Sequence, residues 1–356
     1  MTKQRRSPKK ITVIYNSVDE ASPIIPPDQK VADLDTIEMA KGVADNLAST
    51  FQTELREIPF DHPEAASAIN TDIVFNLCEG VGYDYGCKVI DSLESARIPY
   101  VGANSLNYHI GSDKALLKEV LNRYHLPTPL GQFFNSTQEK LNPNLQFPLL
   151  IKPELEHGSV GITQESVVNN EEQLREQISK IRREYGQGAL VEEYVDGLEL
   201  QLTFVGNGSA LKMLPIKEIL FVNGMSERWH IVTFAAKWEE SSEEYKGTPT
   251  ICPTDSINNI EKRALEKLGR EIFLRTSCQD YTRIDIRYDK INQKPYILDV
   301  NPNPDLSSDA AVAKAAEAAG WNYPTLLVNL VMSAWKRITQ PSKTTTAERY
   351  LPISAP

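Results

Sequence analysis

The chain has 356 residues, of which 41% are hydrophobic and 24% charged, and its formal net charge is -10. That length exceeds a single small core and predicts two or three packed lobes. The acidic balance excludes a bulk nucleic-acid binder, whose footprint is basic, yet permits a nucleotide site built from a few local cations and backbone N–H groups. No apolar run approaches the roughly 18–20 residues of a membrane span, so no membrane partner is expected.

Residues 1–10 are basic, through Lys3, Arg5, Arg6, Lys9 and Lys10, and no apolar stretch follows them. They read as a disordered basic tail and not as a secretory leader. The four cysteines, Cys78, Cys87, Cys252 and Cys278, form no Cys-x-x-Cys pair, and the five histidines form no His-x-x-x-His pair. A reduced, cytoplasmic protein without a zinc site is expected.

In chain order, 11–16 reads as a buried strand and 33–49 as a helix, with Leu34, Ile37, Ala40, Ala44 and Leu47 in helical period. A strand at 72–78, a helix at 87–96 and a short strand at Tyr100 and Val101 follow. Alternating strands and helices predict a parallel sheet, and no Gly-x-Gly-x-x-Gly follows the first strand, which argues against a dinucleotide site. A helix over 112–124, capped by Ser112 or Asp113, ends before Pro127 and Pro129. A strand at 147–153, a glycine-containing turn at 157–161 and a charged amphipathic helix at 171–185 come next. From 189 strands dominate, at 189–195, 199–205, 211–219, 230–236, 283–288 and 295–301, interrupted by a helix at 257–275. This predicts an antiparallel-leaning α+β lobe, closed by helices at 309–319 and 323–338, with 339–356 a disordered tail.

The hairpin near the C-terminus carries the first chemical signal. Arg283, Asp285 and Arg287 alternate with Ile284, Ile286 and Tyr288, and the returning strand places Asp299 and Asn301 on one face. Asp285, Asp299 and Asn301 therefore converge on one face of a two-stranded ribbon, as an oxygen set for Mg²⁺ or as a solvated polar face. Lys152 ends the apolar run Leu149-Leu150-Ile151 and presents a point charge at the strand mouth. Gly158, Ser159 and Gly161 follow, in a turn that either cradles a phosphate or merely reverses the chain. In the acidic turn 192–199, Glu192 and Glu199 are either ligand acceptors or solvated carboxylates, and the Tyr194–Val195 backbone is suited to an adenine edge.

The order of these elements, beginning with Lys114, resembles the ATP-grasp superfamily and within it the D-alanine–D-alanine ligases, over about residues 11–335. The resemblance is strongest at 112–114, 147–161, 192–199, 236–238 and 283–308. It implies an ATP-grasp fold, α/β with an α+β C-terminal lobe: an N-terminal parallel-sheet domain over 11–108, a central subdomain over 109–188 and a C-terminal subdomain over 189–338. It further implies ATP and two Mg²⁺ ions, with Mn²⁺ as an alternative, small-molecule carboxylate and amine substrates, and peptide-like C–N bond formation through an acyl-phosphate. A homodimer is left open as the assembly.

Carried over by position, Lys114 and Lys152 are implied to meet ATP phosphates and Gly158, Ser159 and Gly161 to form the closing loop. Glu192, Tyr194 and Val195 are implied on the adenine side, Glu199 at the ribose, and Asp285, Asp299 and Asn301 as metal ligands. Arg283 and Lys237 are implied beside the reacting carboxylate and the γ-phosphate.

The chain departs from the family where amino acids bind. The family's glutamate after the first strand has no clean counterpart among 22–30, Asp33 or Asp35, and Glu79-Gly80 stands where the family has His-Gly. After the metal ligands the chain runs Asn303-Pro304-Asp305-Leu306-Ser307-Ser308 in place of a Ser-Pro-Gly-Met stretch. A different substrate pair is expected, with Glu79, Asp84 and Asp305 as candidate contacts. Competing readings are a ligase that joins an amino acid to a non-peptide metabolite (mycosporine-type), a non-catalytic ATP-binding regulatory module and a carboxylate kinase.

Overall fold

The computed structural model describes residues 7–16, 27–79 and 84–340. The predicted tails at 1–10 and 339–356 fall mostly outside these residues, as does Gly80. Lys10 opens the first strand and Thr339 ends the last helix.

The first lobe runs β1 (Lys10–Asn16), α1 (Pro27–Leu47), β2 (Gln52–Ile58), β3 (Ile73–Asn76), α2 (Asp84–Ser95), β4 (Tyr100–Val101), α3 (Ser105–Ser112) and α4 (Lys114–Arg123). Its sheet is parallel in the order β2-β1-β3-β4. Such a sheet is covered on both faces, which explains why four successive residues of β1, Ile11 to Ile14, are buried. α2 covers one face through Val89, Ile90 and Leu93 against Ile14 and Val74. α1 covers the other through Ala40, Val43 and Leu47 against Ile11, Val13 and Phe75.

A second, antiparallel sheet is built from β5 (Gly131–Phe134), β6 (Leu149–Pro153), β7 (Val167–Val168) and β8 (Ala189–Glu193), in the order β5-β8-β6-β7. Helix α5 (Glu171–Tyr185) packs Leu174, Ile178 and Ile181 onto it. Asn170 caps the start of α5, and Gly186 ends it in the left-handed conformation at φ 68°.

The third sheet contains β9 (Leu198–Val205), β10 (Lys212–Met213), β11 (Lys217–Ile219), β12 (Thr250–Ile251), β13 (Tyr281–Asp289) and β14 (Lys294–Asn301). Its order is β12-β11-β9-β13-β14, with β10 paired to β9. Two short helices, α6 (Phe234–Trp238) and α7 (Glu243–Gly247), lie between β11 and β12, and α8 (Asn259–Arg275) packs Leu265, Ile272 and Phe273 against the back of the sheet. The chain then returns through α9 (Ala311–Ala318) and α10 (Tyr323–Thr339) to the first lobe, where Leu327, Leu330 and Val331 join the α1 core. Arg337 of α10 pairs with the fully buried Asp280 at 2.8 and 2.9 Å, and Asp280 also accepts from Gly102 N at 3.1 Å. One buried carboxylate thus ties α10 to β13 and to the end of β4.

Several expectations change. The strand expected at 230–236 is absent: the Thr233 hydroxyl accepts from Ala236 N at 3.1 Å and starts α6 instead. The strand at 211–219 is two short strands, split around Pro215, which offers no N–H to a ladder. The helix at 112–124 begins after Asp113, whose carboxylate accepts from Ala115 N and Leu116 N, and the separate helix α3 precedes it.

Candidate functional site

The front face of the third sheet is a grid set by strand register. Lys217 pairs with Gln201, Gln201 with Asp285, and Asp285 with Asp299, so four polar residues form one row across four strands. The row on one side holds Thr203, Arg283 and Asn301, and the row on the other holds Ile219, Glu199 and Arg287. A register shift between Asp285 and Ile286 pairs Ile286 with Ile297, leaving Leu298 as an extra residue that lines the cavity. The cavity over this grid measures about 940 Å³. Its walls come from β6, the 156–162 turn, the 231–238 segment and the chain after β14.

Arg283 donates to both oxygens of Asp285, each at 2.8 Å, a bidentate pair. The Asn301 amide nitrogen donates to Asp285 Oδ2 at 3.1 Å and to Arg283 O at 3.2 Å. Both partners are acceptors, so the amide orientation is decided and Asn301 Oδ1 remains an acceptor. Burial pushes the Asp299 carboxyl above its ordinary range, with Lys114 opposing and Asp285 adding to the rise. Among the described residues no group of three His, Cys, Asp or Glu side chains is placed to hold a metal ion. Two carboxylates and one amide oxygen on adjacent strands nevertheless form a hard-oxygen set that suits Mg²⁺, and a cation there relieves the stress on Asp299.

Four cations border this set. Lys114, at the first position of α4, donates to the Glu156 carbonyl and lies 3.5 Å from Glu154 O, and burial pushes its pKa down. Lys152, at the end of β6, contacts Glu192 Oε2 at 2.8 Å. Burial opposes the charge on Lys152, and Glu192 outweighs that effect and raises its pKa. The other oxygen of Glu192 meets Lys118 at 2.6 Å. Burial works to raise Glu192 as well, but the two lysines hold it down to about 2. Lys237, pushed down by burial and by Arg283, sits 4.8 Å over the Trp238 ring. Arg283 is the fourth.

The turn after β6 folds against the segment carrying Lys237. Gly158, Ser159 and Gly161 all have φ between 64° and 74°. At Gly161 a Cβ would meet Pro153 Cγ at 2.8 Å, so glycine is required there. Ser159 Oγ donates to Val232 O at 2.8 Å, and Phe234 N donates to Ile162 O at 2.9 Å. His157 meets Ser112 O through Nε2 at 3.0 Å, and burial followed by Lys114 pushes its pKa well below the ordinary value. The Ser112 carbonyl can only accept, so Nε2 carries a proton.

At the other end of the cavity Glu199 contacts Arg287 at 2.5 Å. Arg287 also donates to Gly197 O at 3.0 Å and to His230 O at 2.8 Å. Glu192, Tyr194 and Val195 do not line the cavity, and Glu192 reaches it only through its ion pair with Lys152. Tyr194 N donates to Pro148 O at 3.0 Å, and the Tyr194 hydroxyl accepts from His230 N at 3.1 Å. Glu79 and Asp305 do line the cavity: Glu79 accepts from Asn303 Nδ2 at 3.2 Å, and Asp305 accepts from Ser307 N at 2.7 Å. Asp84 does not. It is exposed at the start of α2 and pairs with Lys88 at 2.5 Å.

Sequence reasoning missed Lys217, Gln201 and Glu156, which all line the cavity. Burial and Arg283 push the Lys217 ammonium down to about 8. The available signal was slight: Lys217 follows the apolar residues Met213, Leu214 and Ile216, with Glu218 next to it.

Comparisons with known proteins agree with this geometry. The family described as D-ala D-ala ligase C-terminus matches residues 129–332. An uncharacterized protein of Sinorhizobium fredii is 31% identical over 276 residues, 77% of this chain and 78% of its own. A D-alanine–D-alanine ligase of Caulobacter vibrioides is 26% identical over 277 residues, 78% of this chain and 81% of its own. In three dimensions, a D-alanine–D-alanine ligase of Bacillus anthracis complexed with ATP superposes with a TM-score of 0.70 at 22% identity, covering 94% of this chain and 100% of that one. The VanG D-Ala:D-Ser ligase of Enterococcus faecalis gives 0.70 at 18% identity, over 92% of this chain and 99% of its own. With its parallel N-terminal sheet and two antiparallel sheets enclosing a cation-bordered cavity, the chain belongs to the D-alanine–D-alanine ligase family of ATP-grasp ligases.

Proposed function

We propose that this chain is an ATP-dependent carboxylate–amine ligase that forms a C–N bond through an acyl-phosphate, on a substrate pair other than two D-alanines. The observation that carries the reading is the sharing of one cavity by Lys114, Lys152, Lys237 and Arg283 with the oxygens of Asp285, Asp299 and Asn301. A carboxylate resists nucleophiles because of its charge, and phosphorylation removes that charge and creates a leaving group. Lys114 and Lys152 hold the phosphate chain, while Lys237 and Arg283 neutralise charge on the transferred phosphoryl group and the reacting carboxylate. Asp285, Asp299 and Asn301 would hold Mg²⁺, which when bound would supply charge neutralisation at the phosphate oxygens.

Glu192 acts through Lys152, fixing it by its ion pair. Glu199, tied to Arg287, supplies acceptors for ribose hydroxyls. Gly158, Ser159 and Gly161, with the Lys237 segment, exclude water that would hydrolyse the intermediate. A changed substrate pair is supported by Glu79, Asn303 and Asp305 on the wall where the family binds its amino acids.

The test is phosphate release from Mg·ATP across a panel of L- and D-amino acids and dipeptides, with mass spectrometry of each mixture. Amine-dependent release together with a condensed product is expected. Phosphate release that no amine alters, with no condensed product, would refute the proposal.

A further inference from the structure

Lys217 lies on the cavity face of β11, half-buried, in the same row as Gln201, Asp285 and Asp299. Among the described residues its ammonium group makes no hydrogen bond or ion pair. The charges around it are engaged elsewhere: Asp285 is clamped bidentately by Arg283, and Asp305 accepts from Ser307 N at 2.7 Å. Beside it Gln201 is only 8% exposed, and its Oε1 is buried without a hydrogen-bond partner. A buried amide oxygen without a partner is destabilising in isolation, and its adjacency to a half-buried, unpaired cation on a cavity wall points to a ligand.

The row also locates that ligand. Three strand spacings, about 14 Å, separate Lys217 from Asp299. The lysines that couple to Asp299 are Lys114 and Lys152, at the other end of the row. Lys217 instead couples to Arg283, Asp285 and Asp305. It therefore stands on the Arg283 side of the reacting centre, away from Lys114 and Lys152, the two cations assigned to the phosphate chain.

We propose that Lys217 binds a carboxylate that one substrate carries in addition to the carboxylate that becomes activated, while the neighbouring Gln201 Oε1 accepts from an N–H of the same substrate. The substrate class is then a dicarboxylic amino acid or a similar di-anion, in place of a neutral amino acid such as alanine. Such a ligand pairs its anion with Lys217 and brings hydrogen-bond donors to Gln201. This inference rests on the ligase reading for the reaction, though not for binding.

The experiment compares glutamate with alanine, each in both hands, using wild type, Lys217→Met and Lys217→Arg. Titration calorimetry on the full chain with Mg·ADP present gives binding, and phosphate release gives kcat/KM. Wild type is expected to prefer one hand of glutamate. Lys217→Met is expected to lose about tenfold of that preference, Lys217→Arg to retain most of it, and KM for ATP to move less than KM for glutamate. If wild type binds glutamate no better than alanine, or if Lys217→Met lowers both substrates equally, the subsite is refuted. The second result would assign Lys217 to the phosphoryl group. Glutamate binding that depends on Lys217 without turnover would retain the subsite and refute the ligase reading for these substrates.

Discussion

Trp238 donates its indole N–H to the carbonyl oxygen of Gly158 over 2.9 Å, tying the segment that carries Lys237 to the glycine turn. The same ring lies beneath Lys237 Nζ. Trp238→Phe removes the hydrogen bond and keeps a ring under the cation, whereas Trp238→Ala removes both. Expected KM for ATP rises about threefold for Phe and about tenfold for Ala. The ratio of released phosphate to condensed product, measured on the same samples, should rise in both variants because water enters.

Asp299 is a half-buried carboxylate whose pKa desolvation raises, so its charge is disfavoured unless a cation is bound. Asp299→Asn is expected to lower kcat by about a hundredfold or more while leaving the thermal midpoint unchanged or higher in the absence of Mg²⁺. Activity close to wild type would remove Asp299 from the proposed metal set.

Glu192 joins Lys118 and Lys152 and is held down to about 2 from an ordinary 4.5. A lowered folded-state pKa gives stability that is fully present above 4.5 and is lost as pH falls toward about 2. The amount is about 3 kcal/mol. Urea unfolding at stepped pH should show this loss in wild type and not in Glu192→Gln. At neutral pH Glu192→Gln should itself be about 3 kcal/mol less stable, because two buried cations lose their partner.

Gly111 allows α3 to lie against β14: a Cβ there would come within 2.6 Å of Pro302 Cδ and of Val300 O. The next residue, Ser112, provides the carbonyl that holds His157. Gly111→Ala is expected to cost about 1–3 kcal/mol in chemical denaturation and to raise KM for ATP as the turn at 157 shifts.

The hairpin of the site was legible because Arg283, Asp285, Asp299 and Asn301 alternate with apolar residues, and alternation dictates faces. The bulge was not, since nothing in Leu298 marks it as the extra residue. Strand β2 escaped notice because Gln52, Glu54, Leu55 and Glu57 are exposed on an edge and carry no core signal. The α6 segment misled because Phe234, Ala235 and Ala236 suit a strand as well as a helix, and only the Thr233 cap decides between them. Lys217 was hidden for another reason: its strand was visible, but its face depends on pairing with Gln201, a long-range fact.

The row from Lys217 to Asp299 has a consequence for how such a site changes over generations. Its members are set by odd and even positions along strands, so one residue gained or lost inside β9 or β13 would exchange Gln201 and Asp285 for Leu200 and Ile284. Core and cavity would trade places together. A residue added inside a strand keeps parity only where a bulge absorbs it, as at Leu298 in β14, whereas the turn at 290–293 carries no such constraint.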